Sequence, residues 1–233
     1  MNEMVVKGRE FLVYLSYSGL ATCSIYYGLI EKKNIFITFV CFHLICCLGI
    51  PVWHAWRHGN LRRKWTSAWK ISIHTFLGVS WGLLSGISMM AVIFGGFFWM
   101  KSRGLNLHEM ALILGQWGIT TQGKWLFAFY MTVINSFFEE IFWRGFILDR
   151  LLKYLSTFSA ILISSFFYSL YHFLIGAILF GVWWGFWATL AVFVAGLFWG
   201  WLKQIYKSIY PIWISHGLAD FALMWILVIF ILE

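Results

Sequence analysis

Charge is scarce in this chain, and negative charge is scarcest. Asp, Glu, Lys and Arg make up 11% of the 233 residues, and only nine of those are acidic. A soluble domain carries charge at roughly a quarter of its positions, so this supply excludes a sizeable one. The two prolines are Pro51 and Pro211, and no internal repeat, low-complexity tract or Ser/Gly-rich linker divides the sequence. These absences weigh against a transporter, which is usually built from repeated halves with interrupted helices. The four cysteines, Cys23, Cys41, Cys46 and Cys47, lack the CxxC spacing of a zinc or redox site and fall in apolar segments. They read as small buried hydrophobes. A net charge of +8 would suit nucleic acid only on a folded soluble face, and the chain has no room for one.

What the chain has is apolar length. It is 61% hydrophobic and 21% aromatic, with 16 Trp. A membrane span needs about 20 largely apolar residues to cross roughly 30 Å of hydrocarbon, and about seven segments qualify by this measure. They are 11–30, 35–53, 71–100, 125–147, 157–180, 182–202 and 208–232. The expected fold is therefore all-α, a polytopic integral membrane protein forming a single membrane domain over 1–233. Lys7 and Arg9 before the first run give it the look of a signal peptide, but the run extends to Ile30 and reads as a span. With Arg144 set aside, alternate loops hold 11 and 5 of the Lys and Arg residues. The excess of positive charge places the N-terminus in the cytoplasm and, with seven spans, the C-terminus outside.

Several features read as packing or anchoring. In the third span, Gly78, Gly82 and Gly86 recur every fourth residue, which permits close helix contact. The connection 101–124 is expected to hold a short interfacial helix around 108–117. Its His108–Glu109 pair fails as a zinc-protease motif because position 112 is Leu112. His54 and His58 lie four apart in a basic, Trp-rich loop and read as interfacial anchors, since two ligands without a third rarely make a metal site. His43 and His74 read as helix–helix hydrogen bonds, and Trp183 to Trp187 as part of an interfacial aromatic belt.

Three later spans contain side chains that apolar sequence does not explain. Glu139, Glu140 and Arg144 lie in the fourth, His172 in the fifth, and His216 and Asp220 in the seventh. An ionisable side chain at the centre of a bilayer helix costs about 2.5–3.5 kcal/mol on insertion scales and so marks a functional site. Glu140 and Arg144 are i,i+4 neighbours, placed for an internal ion pair, which turns Glu139 away from Arg144. His216 and Asp220 are also i,i+4 and point to one place. Asn135, one turn before Glu139, can bond Glu139 or another helix. A carboxylate beside imidazoles can activate water as a general base, while further donors stabilise the oxyanion of a tetrahedral intermediate. The same groups can also build a proton relay, or a zinc site using Glu139, His172 and His216 as ligands.

EExxxR at Glu139 to Arg144, an aromatic-xxx-His at Tyr168 to His172, and HxxxD at His216 to Asp220 occur in that order. Together they resemble the CPBP family, the CAAX proteases and bacteriocin-processing enzymes. The resemblance covers about residues 125–233, leaving 1–124 as spans of unassigned role. It implies an intramembrane endopeptidase in which Glu139 activates water with help from His172, and His216 and Asp220 line the oxyanion site. Glu140, Arg144, Tyr168 and Asn135 are then supporting residues. Tyr168 stands where the family often has Phe, and Asp220 where eukaryotic members have Asn. An ionised Asp cannot donate to an oxyanion, so Asp220 is either protonated or acts through His216. The resemblance implies no cofactor, with zinc as the alternative, and a membrane-associated protein or peptide as substrate. The small size points to a prokaryotic member in the cytoplasmic membrane; a transporter or an immunity protein that kept the fold are the non-proteolytic alternatives.

Overall fold

The computed structural model describes residues 3–57 and 73–233, without the side chains of residues 3–7, 73 and 74. His58, the basic residues between 62 and 70, and the side chains of Lys7 and His74 therefore lie outside the described residues. The described chain is helical from end to end, and no strand occurs within it.

The first helix, α1, runs Glu3–Ile25 and continues through the π-helical turns Tyr26–Glu31. Helix α2 spans Ile35–Arg57, α3 Ile73–Ser102, and α4 Leu107–Gln116. Helix α5 covers 124–151. Helix α6 spans Thr157–Phe180, α7 Val182–Tyr206, and α8 Tyr210–Ile231. The helix starts follow local chemistry. Asn34, Asn106 and Ser156 each accept a backbone N–H with the side chain at the first turn of α2, α4 and α6, which satisfies a donor the helix itself cannot. Gly181, at φ +79°, makes the tight reversal between α6 and α7, a conformation costly for any residue with a Cβ. At the far end of α8 the Lys124 ammonium donates to the carbonyls of Val228 and Leu232, placing positive charge where the helix dipole is negative.

Among the described residues five helices are long and apolar enough to cross a membrane: α2, α3 from Thr75, α6, α7 and α8. The other two expected spans, 11–30 and 125–147, are helical as well but fall short in composition. Serines and tyrosines dilute the first, and the second carries Glu139, Glu140 and Arg144. Large apolar side chains such as Phe36, Phe76, Leu126 and Phe158 are exposed on the outer faces, as expected where hydrocarbon rather than water is the solvent. The chain is a multi-pass integral membrane protein.

Two helix pairs pack most closely, α6 on α7 and α8 on α3, and small residues explain both. A Cβ built on Gly82 would collide with the Pro211 carbonyl oxygen, and one on Gly78 or Gly86 would run into Pro211 or Leu218. The four-residue glycine spacing is thus the contact face of α3 against α8. Gly176 meets Gly185 backbone to backbone across the α6–α7 hairpin. Helix α8 in turn packs on α5, and α5 on α2, so α8 lies between α3 and α5. Helix α4 forms where a short helix is expected over 108–117, with Met110 and Leu114 buried beneath it. Trp183, Phe186 and Trp187 face outward from the bundle. His54 differs from expectation: it is buried, with Nε2 against the Tyr14 hydroxyl at 3.1 Å and Nδ1 against Arg150 at 3.2 Å. Its position on α2 opposite α1 and α5 makes it an internal bridge rather than an anchor in the interface.

Gly82→Ala should destabilise the fold by about 1–3 kcal/mol, because the obstructing atom is backbone and cannot rotate away. Gly95→Ala, with open space at its Cβ, should be near neutral. Thermal unfolding of both variants in detergent micelles checks the contrast.

Candidate active site

Polar residues of α5 and α8 converge on one carboxylate oxygen, Glu140 Oε1, and those of α6 pack around them. Glu139, Glu140 and Arg144 are 3%, 0% and 2% exposed, so their charges must be answered from within the protein. They lie on Ser136–Phe142 and at the start of the π-helical turns Trp143–Ile147. Arg144 Nη1 donates to Glu140 Oε1 at 2.9 Å, the ion pair expected from their spacing. The guanidinium also sits 4.5 Å from the ring centroid of Tyr168 on α6 and 5.1 Å from that of Trp199 on α7. Aromatic faces thus serve a cation that hydrocarbon would reject. From α8, His216 Nδ1 stands 2.8 Å from the same Glu140 Oε1. The second oxygen of Glu140, Oε2, is buried with no hydrogen-bond partner among the described residues, so within them Glu140 is held through a single atom.

That contact orients His216. Its ring stacks on Trp199 at 4.5 Å and 24°, and Trp199 is fixed by donating Nε1–H to Ser215 Oγ at 2.9 Å. With Nδ1 committed to Glu140, Nε2 faces three groups. The Tyr168 hydroxyl lies at 3.3 Å, Asp220 Oδ1 at 3.6 Å and Glu139 Oε2 at 3.8 Å. Glu139 Oε2 also accepts a hydrogen bond from the Tyr171 hydroxyl at 2.9 Å. Asp220 Oδ2 accepts from Asn135 Nδ2 at 3.1 Å, so of the two partners open to Asn135 the structure selects the other helix.

His172 lies one residue beyond Tyr171 on α6. Its Nδ1 is 2.9 Å from the Tyr168 carbonyl, and a carbonyl only accepts, so Nδ1 carries a proton. In the neutral ring this leaves the Nε2 lone pair free to act as a base. Its ring packs 4.3 Å from the Tyr171 centroid and 4.8 Å from that of Tyr168. Among the described residues no group of three His, Cys, Asp or Glu side chains is disposed to hold a metal ion.

The sequence-predicted residues thus meet in one place, with Glu139, Glu140, Arg144, Tyr168, His216, Asp220 and Asn135 joined by hydrogen bonds and short contacts. His172 joins them through ring packing and its backbone hydrogen bond. Tyr171, Trp199 and Ser215 are partners that sequence reasoning missed. The first two are ordinary aromatics in a chain rich in them, and nothing in their spacing singles them out. His43 makes the helix–helix hydrogen bond expected of it, and its partner is Asn135 at 2.7 Å, inside this network.

Fold and site together define a polytopic membrane protein with a carboxylate–imidazole cluster buried among its spans. Residues 121–222, a little under half of the chain, match the family model of the Rce1-like type II CAAX prenyl endopeptidases. The match bears out the CPBP resemblance read from the motifs, and the matched segment contains every one of those motif residues. It supports protease activity for the chain. No curated protein and no solved structure matches it.

Arg144→Leu should cost about 3–5 kcal/mol, the penalty for leaving a buried charge without its partner. The double variant Glu140→Leu, Arg144→Leu should recover part of that loss, since it removes both charges but leaves His216 Nδ1 without its acceptor. Unfolding in mixed micelles, with the two single variants and the double variant compared as a cycle, measures the coupling.

Proposed function

We propose that the chain is an intramembrane endopeptidase that hydrolyses a peptide bond with a water molecule activated by Glu139 and His172. The observation that carries this reading is the placement of Glu139. It is a buried carboxylate bonded to Tyr171 and 3.8 Å from His216 Nε2, not consumed by the Glu140–Arg144 pair.

In this mechanism the Glu139 carboxylate takes a proton from water as its oxygen attacks the scissile carbonyl carbon, with the His172 Nε2 lone pair directing the water. The carbonyl π pair moves onto oxygen. The resulting oxyanion is met by the Tyr168 hydroxyl and His216 Nε2–H, which lie 3.3 Å apart; with Nδ1–H given to the Glu140 carboxylate, Nε2 carries this proton in the imidazolium form, beside the carboxylates of Glu139 and Asp220. As the C–N bond breaks, the proton held by Glu139 passes to the leaving amine. Asp220 accepts from Asn135 with one oxygen and faces His216 with the other, which favours the role of orienting the imidazole over that of direct donor.

Substrates of this reading are membrane-associated: a CAAX-like tail, as the family description suggests, or a leader peptide or C-terminal membrane anchor, which suits a small prokaryotic enzyme of the cytoplasmic membrane. Within it, residues 125–233 form the catalytic core.

The protein reconstituted with such substrates should lose activity on the order of 10²–10⁴-fold in Glu139→Ala, His172→Ala and His216→Ala, the range of acid–base contributions. Native activity should persist in chelator. Activity surviving Glu139→Ala would sink the mechanism, and loss in chelator reversed by zinc would replace it with a metal-dependent one using Glu139, His172 and His216.

A further inference from the structure

Helix α2 lies outside the segment that matches the family, yet it sends a polar side chain into the hydrogen-bond network of the site. His43, on the π-helical stretch Phe39–Gly49, is 2% exposed, and Asn135 beside it is 4% exposed. His43 Nε2 stands 2.7 Å from Asn135 Oδ1, and His43 Nδ1 stands 2.9 Å from the Tyr130 hydroxyl. Asn135 Nδ2 then reaches Asp220 Oδ2 at 3.1 Å. Aromatic rings enclose the rest of the imidazole, with Phe39 and Phe42 each 5.0 Å away and Phe138 at 6.2 Å.

The donor and acceptor inventory gives this chain a direction. A carboxylate only accepts, so Asn135 must turn its amide nitrogen to Asp220, which leaves its carbonyl oxygen for His43. That oxygen also only accepts, so His43 carries a proton on Nε2. In the neutral ring Nδ1 is then a lone pair, and the Tyr130 hydroxyl donates to it. A carboxamide is close to symmetric in shape, and packing alone distinguishes poorly between its two orientations. The Nε2–H of His43 is what distinguishes them.

We propose that His43 is a positioning residue for the site. Through the directed chain Tyr130, His43, Asn135, Asp220 it locks the Asn135 carboxamide with its N–H groups toward Asp220, and so holds that carboxylate as an acceptor beside His216. The spans before residue 124 thereby contribute to the chemistry of the later ones. As a statement about catalysis this rests on the endopeptidase reading. As a statement about hydrogen bonding it does not.

Two measurements on the full chain separate these. In proteoliposomes with a membrane-anchored peptide substrate, His43→Phe should lower kcat by about 10- to 100-fold, the scale on which outer hydrogen-bond partners act. KM should change by less than about threefold, because substrate contacts are untouched. His43→Gln, whose amide nitrogen can replace Nε2 as donor, should restore most of the lost kcat. A Gln variant as impaired as Phe, or a Phe variant as active as the native chain, overturns the proposal. The second readout needs no turnover. In ¹⁵N spectra of histidine-labelled protein in micelles, the His43 signal, assigned by its loss in His43→Gln, should show a neutral ring protonated at Nε2 and should shift in Asn135→Ala. A ring protonated at Nδ1 alone overturns the inference even in an active protease. The expected tautomer in a chain that cleaves nothing upholds the hydrogen-bond chain while the endopeptidase reading falls.

Discussion

A single oxygen atom, Glu140 Oε1, holds the centre of this molecule together. Arg144 reaches it from the same helix at 2.9 Å and His216 from α8 at 2.8 Å. In hydrocarbon a charge without a partner is far more costly than in water, so this junction decides how α5 and α8 meet before any shape complementarity is considered. Its reach is wider than two helices. The guanidinium lies against Tyr168 of α6 and Trp199 of α7, and Trp199 also stacks on His216. Four helices are thus registered around one carboxylate. The direction of His216 Nε2, and with it the relation of Glu139, Asp220 and Tyr168, follows from where Nδ1 is held.

Such a junction tolerates little play, and the glycine-lined contact of α3 with α8 limits it. Because Gly82 lets the Pro211 backbone approach closely, α3 forms a wall behind the first turns of α8, on the side away from α5. Ser85 continues this contact by donating to Ser215 at 3.0 Å, and Ser215 is the residue that receives the Trp199 indole. The packing helices and the polar cluster are therefore one system: a small-residue face supports a serine, the serine an indole, and the indole the imidazole.

Much of this was legible in sequence because it is local. The Glu140–Arg144 pair and the convergence of His216 with Asp220 follow from i,i+4 geometry, which a helix enforces whatever its surroundings. The glycine stripe of α3 is legible for the same reason. Ionisable residues in apolar sequence announce themselves by their cost. The rest depends on contacts between helices far apart in the chain. Tyr171 carries no signature in a sequence that is 21% aromatic, and its bond to Glu139 needs α5 and α6 side by side. His43 did carry a signal, a polar ring in an apolar run, but its partner is 92 residues away, and no periodicity spans that distance. His54 misled for a related reason: nearby arginines and tryptophans suggested an interface, whereas the ring turns inward to Tyr14 and Arg150.

Helix α5 is wound as π-helix over Tyr130–Asn135 and Trp143–Ile147, on either side of the segment bearing Glu139 and Glu140. A wide turn of this kind accommodates an extra residue, and one residue corresponds to about 100° of rotation in a regular helix. Ordinary winding from Lys124 onward would therefore bring different side chains to the face that α6 and α8 meet. For evolution the consequence is that winding the same residues as regular α-helix would rotate the acidic pair out of line with the rest of the bundle, whereas deleting one residue between 130 and 135 would let the segment wind regularly with the pair still in place. Relatives that wind this helix regularly should align with the chain only across a one-residue gap just upstream of the acidic pair.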